Sequence, residues 1–155
     1  MKKKKIKVAI LSNYSRALTG FGNSMKNILI RLHQDPRFEV VELANGVRYG
    51  APISTPWRAY GTYPSDMKTL QEIQNNPRLE RLSAYGNYTI DKIIELEKPD
   101  VVIGIEDIWA FEWHQKKWFD KLGVILWTTL DSLPILDQAF NLAPKVNKFL
   151  VWASF

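Results

Sequence analysis

The chain has 155 residues, 46% hydrophobic and 24% charged, the composition of one ordinary globular domain rather than of a disordered segment. It has no cysteine, which excludes disulfides and thiolate metal sites and fits a reducing compartment. The net charge of +5 is matched by Lys2, Lys3, Lys4, Lys5 and Lys7 alone, so the rest of the chain is neutral and no basic face for nucleic acid is expected.

The lysine tail reads as a solvated terminus, with attraction to anionic lipid as the alternative. It has the charge of a signal n-region, but only a strand's length of apolar residues follows. Polar residues resume at Ser12, so a signal peptide is not expected. No apolar run approaches the ~18 residues of a membrane span. A cytoplasmic setting follows, with peripheral membrane contact through the tail as its variant.

Five strands are predicted, at residues 6–11, 38–43, 101–105, 124–128 and 148–152. Most are short continuous apolar runs, the pattern of parallel strands covered on both faces. After the first strand, Phe21, Met25, Ile28, Leu29 and Leu32 mark one face of a helix that Asp35-Pro36 ends. A second helix is expected over residues 77–97, with shorter ones near 65–74, 110–121 and 133–142. Strand–helix alternation predicts an α/β fold, a doubly wound and mostly parallel Rossmann-like sheet in one domain over residues 1–155.

Residues 45–64 break this rhythm with Gly46, Gly50, Pro52, Pro56, Gly61 and Pro64, and read as a long functional loop whose Trp57, Tyr60 and Tyr63 argue against disorder. The last strand runs into Ala153, Ser154 and Phe155, where a doubly wound fold would place a loop and a covering helix. Its apolar face is therefore expected to meet a partner or a further part of a longer protein.

The turn Thr19-Gly20-Phe21-Gly22 sits between a strand and a helix N-terminus, a place where free backbone N–H groups suit a phosphate. It is not a full dinucleotide fingerprint, because Met25 stands where the third glycine belongs, and Glu42 falls inside the second strand rather than at its end. No Gly-Lys-Ser/Thr follows, so it is not a P-loop. Taken alone, such a turn is more often simple turn chemistry than a ligand site. Glu106 and Asp107 follow one strand and Asp131 follows another, at the edge where open α/β sheets bind ligands. Asp107 and Asp131 are equally readable as helix caps. His33 and His114 lack metal or triad spacing and read as surface residues. Trp127 and Trp152 are assigned to the core, and Trp57 and Trp109 to the mouth, where they can stack on a sugar or base, although packing is the commoner role for any single tryptophan.

The opening residues 7–14 with Thr19, Gly20, Phe21, Gly22, Asn23 and Ser24 resemble the start of GT-B fold glycosyltransferases of the family 4 type. Residues 99–102, the Glu106-Asp107-Ile108-Trp109 turn, residues 127–131 and the closing Val151-Trp152-Ala153-Ser154-Phe155 are similar to later parts of the same domain. The resemblance covers most of the chain, and the order of the motifs carries it more than any one of them. It implies an N-terminal, acceptor-side domain. Its Thr19, Gly20, Phe21 and Gly22 would approach the donor diphosphate, and Asn13, Tyr14, Trp57 and Trp109 are the acceptor-site candidates.

A C-terminal domain outside this chain would hold most of the nucleotide-sugar and carry the family's Glu-x7-Glu motif. Glu72 and Glu80 have that spacing here but straddle Asn76-Pro77 in the wrong half of the fold. The resemblance further implies transfer with retention, no metal ligand and no cofactor, the nucleotide-sugar being a substrate and the acceptor a glycan, lipid or other hydroxyl. Glu106, Asp107 and Asp131 are candidates to orient that acceptor or act as base. Two rival readings are a stand-alone dinucleotide-binding oxidoreductase module and a non-catalytic flavodoxin-like interaction domain.

Overall fold

The computed structural model of the protein describes residues 4–129 and 134–152. One sheet holds β1 (Ile6–Asn13), β2 (Phe38–Arg48), β3 (Arg58–Tyr63), β4 (Val101–Ile105), β5 (Gly123–Thr129) and β6 (Lys148–Trp152) in the order β3-β2-β1-β4-β5-β6, and every pair is parallel. The expected α/β class and doubly wound sheet are therefore present. Strand order reverses between β1 and β4: the chain moves outward from β1 to β3 and then crosses back. A crevice opens at such a reversal, beyond the carboxyl ends of the two strands.

Alternate residues of β1 and β2 serve two cores. Val8, Ile10 and Val40 face Met25 and Leu29 of α1 (Gly20–Gln34). Ala9, Leu11, Val41 and Leu43 join Ile90, Ile93 and Ile94 of the helix preceding β4, with Phe111, Trp113, Leu126 and Leu142. Burial on both faces explains why these strands read as unbroken apolar runs. Met25 and Leu29 are four residues apart on one face of α1, and each buried side chain contributes roughly 2 kcal/mol.

Three predicted elements differ in the structure. The expected helix over 77–97 is two helices, α3 (Pro77–Ala84) and α4 (Ile90–Glu97), following α2 (Met67–Gln74). Gly86 separates them at φ +73°, a left-handed conformation, and a Cβ there would lie 2.7 Å from Leu11 Cδ1. The segment expected to be helical at 110–121 forms single 3-10 turns at Ile108–Ala110, Trp113–Gln115 and Phe119–Lys121. Phe111, Trp113, Trp118 and Phe119 are all buried, and that spacing fits no single helical stripe. Near 133–142 the described helix is α5 (Asp137–Leu142).

The region 45–64 is only partly loop. β2 continues to Arg48, and β3 begins at Arg58, with a register shift between Ala44 and Arg48. Gly61 fits against that irregularity, where a Cβ would fall 2.2 Å from the Arg48 carbonyl oxygen. Of the two tryptophans expected in the core, Trp127 is half-buried and packs against the Val8–Ile10 core, whereas Trp152, stacked on it at 4.3 Å, is 40% exposed. Leu150, two residues earlier on β6, is 44% exposed. Among the described residues, α1 is the only helix contributing to the core on the Val8–Ile10 side, and β6 has one strand neighbour.

Candidate functional site

The carboxyl ends of β1, β2 and β4 bring Asn13, Asn45 and Glu106 together at the crevice. Asn13 is the register partner of Asn45, and Glu106 follows the last residue of β4. Glu106 is 2% exposed and accepts a hydrogen bond from Asn45 Nδ2 at 3.1 Å. Asn45 Oδ1 in turn accepts from the Thr62 hydroxyl at 2.9 Å, which fixes the orientation of its amide. Desolvation pushes the Glu106 carboxyl up to about 7. The Asn45 hydrogen bond opposes the rise, the Asp107 charge adds to it, and a backbone hydrogen bond from Asn13 also opposes it. A ligand in the crevice would meet the half-buried Asn13 before it met Glu106.

Asp107 precedes a 3-10 turn but caps it with no side-chain hydrogen bond. Its Oδ1 instead accepts from the Thr129 hydroxyl at the end of β5. Capping therefore does not account for this acid in the structure. Asp131 lies outside the described residues.

The loop after β1 is organised around Thr19. Thr19 stands at the N-cap of α1 with φ −126° and ψ 163°, and its Oγ1 accepts from the Gly22 N–H at 3.0 Å. The same oxygen accepts from Asn13 Nδ2 at 3.0 Å, tying the loop to the end of β1. Tyr14 supports the turn through its carbonyl, which accepts from Ala17 N–H at 2.8 Å. The Asn23 N–H reaches the Thr19 carbonyl at 3.0 Å, whereas the N–H groups of Gly20 and Phe21 find no acceptor among the described residues.

The two glycines differ in what the protein asks of them. A Cβ on Gly22 would lie 2.5 Å from the Ala17 carbonyl oxygen and 2.9 Å from that of Tyr14, so close backbone packing requires glycine. A Cβ on Gly20 would meet nothing within 4 Å. Phe21 folds its ring onto the core beneath α1. The open amides thus stand above the crevice, at the positive end of a fifteen-residue helix.

The aromatic candidates separate. Trp109 stays beside the acids, on the turn after Asp107, and packs edge-on against Tyr85 at 4.9 Å. Tyr85 was not singled out in the sequence. Burial raises its phenol above the usual range, with Glu106 and Asp107 as the neighbouring charges. Trp57 lies at the amino end of β3, where Arg58 is level with Val41, in the middle of β2. Its Nε1 donates to Glu42 Oε2 at 2.7 Å, and its ring meets His33 edge-on at 5.7 Å. Trp57 therefore meets the loop after β1 through Glu42, which also holds Ser15, while Trp109 stands with the acids after β4.

A separate concavity, about 1000 Å³, lies between α4 and the 3-10 segment and is lined by Asn87, Asp91, Lys116 and Trp118. Within it Lys116 Nζ and Trp118 Nε1 both reach Asp91, at 2.8 and 2.7 Å. It contains none of the sequence-derived candidates. Among the described residues no three His, Asp or Glu side chains converge as a metal site. No helix among them is long and apolar enough to cross a membrane.

Comparison with known proteins adds no family: no family model matches the chain, and no curated protein matches it significantly.

Proposed function

We propose that this chain is the acceptor-side domain of a GT-B glycosyltransferase resembling family 4, transferring a sugar from a nucleotide-sugar to a hydroxyl acceptor. The observation that carries this reading is the reversal of strand order between β1 and β4, with the unpaired Gly20 and Phe21 N–H groups poised above it. A leaving nucleoside diphosphate gathers negative charge in the transition state. N–H groups already aimed at that charge stabilise it without reorganising. The empty space at Gly20 leaves room for a phosphate to approach the backbone.

The acceptor would occupy the rim formed by Asn13, Asp107, Trp109 and Tyr85. Asp107 can accept from an acceptor hydroxyl. Glu106 acts from below by holding Asn45 and the end of β1. A dinucleotide reading has less support. Met25, at the third-glycine position, is buried under α1, and both Glu42 oxygens are engaged by Ser15 and Trp57. The reading requires a second, donor-holding domain, so this chain alone is expected to be inactive.

Titration with UDP, GDP and NAD, followed by amide chemical shifts, tests the proposal. The expected result is a weak diphosphate response confined to Asn13 and residues 19–23. Tight NAD binding would favour the oxidoreductase, and no response to any of the three would favour an interaction domain. Sugar transfer by the isolated chain would overturn the requirement for a second domain.

A further inference from the structure

Glu42 has no part in the proposed chemistry, yet it is the most completely enclosed carboxylate in the loop's surroundings, at 0% exposure in the middle of β2. No cation pairs with it among the described residues. Three donors converge on its two oxygens. The Ser15 backbone N–H reaches Oε1 at 2.8 Å, while the Ser15 hydroxyl and Trp57 Nε1 reach Oε2 at 3.0 and 2.7 Å. The backbone and indole N–H groups can only donate, so each oxygen must accept. An amide in the same place would offer one accepting oxygen and one competing donor. A side chain satisfied this completely, on a buried strand, is held for geometry rather than for net charge pairing.

The grip falls on a particular place. Ser15 is the second residue after β1 and opens the turn that leads to Thr19, and Trp57 closes the connection into β3. Glu42 therefore joins two segments distant in sequence, 27 and 15 residues from its partners. Thr19 anchors the far end of the turn through Asn13 and Gly22. The intervening residues span two fixed points.

We propose that Glu42 is the positioning residue of the glycine loop: its bidentate hold on Ser15, braced by Trp57, sets where the Gly20 and Phe21 amides stand relative to the crevice. The ligand part of this inference rests on the reading of that loop as a diphosphate site. The loop-holding part does not.

Glu42→Gln is the direct test, read by amide hydrogen exchange and by UDP titration of the whole chain. Losing a charge-assisted grip should raise exchange of the Ser15 and Ala17 amides, the two in this turn with acceptors among the described residues, by about tenfold beyond any change in β1 or β4, and weaken UDP about tenfold. Glu39→Gln, at the amino end of β2, should leave both unchanged. Unchanged exchange at Ser15 and Ala17, or a rise spread evenly over the sheet, would overturn the proposal. If wild-type chain gives no response to UDP, the diphosphate reading fails while the exchange data still decide the role of Glu42. Should Glu42→Gln not fold, Ser15→Ala removes the Oγ bond alone. About threefold faster exchange in the same amides is then expected, and none would overturn the role.

Discussion

Asn45 donates to Glu106 across the end of β1, so one hydrogen bond of 3.1 Å joins β2 and β4, two strands that are not neighbours in the sheet. The bond lies under the crevice and gives the two sides of the strand-order reversal a common floor. It also leaves a carboxyl group in a dry place. Its pKa rises from the usual 4.5 to about 7, chiefly through desolvation.

That rise predicts a pH-dependent stability. Below about pH 4.5 the group is protonated in both folded and unfolded chains. Between there and about pH 7 the unfolded chain loses the proton first, so stability falls as pH rises, and above about 7 the full penalty is present. Glu106→Gln removes the titration while keeping an acceptor for Asn45. The variant should match wild type near pH 4.5 and exceed it by about 3 kcal/mol at pH 8. Urea unfolding at the two pH values checks this. An equal difference at both would show that Glu106 does not titrate in this range.

Thr19→Ala removes both the N-cap of α1 and the acceptor for Asn13 Nδ2. A cap loss of this kind costs about 1 kcal/mol, measurable as a lower urea midpoint with unchanged slope. Thr19→Ser keeps the oxygen and should recover most of the loss. If the serine variant is as unstable as the alanine one, the methyl group rather than the cap is responsible.

Which parts of this fold were legible in the sequence follows from the range of the interactions involved. β1 and β4 were readable because burial on both faces writes a continuous apolar run, as in Val8-Ala9-Ile10-Leu11. β3 was not, because Arg58 is exposed and Gly61 serves a bulge, so its pattern resembles a loop. The strand-end position of Glu106 was visible, but its burial depends on Asn45, 61 residues away. Glu42 could be placed inside its strand, whereas the donors that enclose it come from two loops. Tyr85 reaches the acids only because the helix breaks at Gly86, a break the apolar spacing of residues 77–97 concealed. Gly86 itself was the available signal.

Gly86→Ala therefore probes how Tyr85 is placed. The native φ of +73° is unfavourable for alanine, and the new methyl would meet Leu11 Cδ1 at 2.7 Å and Asn45 Oδ1 at 3.0 Å. Strain and overpacking together should cost about 2–4 kcal/mol, lowering the thermal midpoint. The Asn45 contact also predicts that Glu106 will be disturbed, which would appear as a changed pH dependence of stability. A variant as stable as wild type would mean that residues 85–89 adopt another conformation.

Gly20 and Gly22 separate structural need from ligand access. Gly22→Ala forces a methyl against two backbone carbonyl oxygens at 2.5 and 2.9 Å, and should destabilise the chain by about 1–3 kcal/mol. Gly20→Ala meets nothing and sits in the first turn of α1, so its stability should stay within about 0.5–1 kcal/mol of wild type, on the stabilising side. If a diphosphate approaches the Gly20 and Phe21 amides, that same methyl occupies the phosphate's path. UDP affinity should then fall by about tenfold, the equivalent of ~1.4 kcal/mol, in a protein that unfolds no earlier than wild type. Paired unfolding and UDP titrations of the two variants supply the measurement. Unchanged UDP affinity in Gly20→Ala would remove the glycine loop from the ligand site and with it the main support for the diphosphate reading.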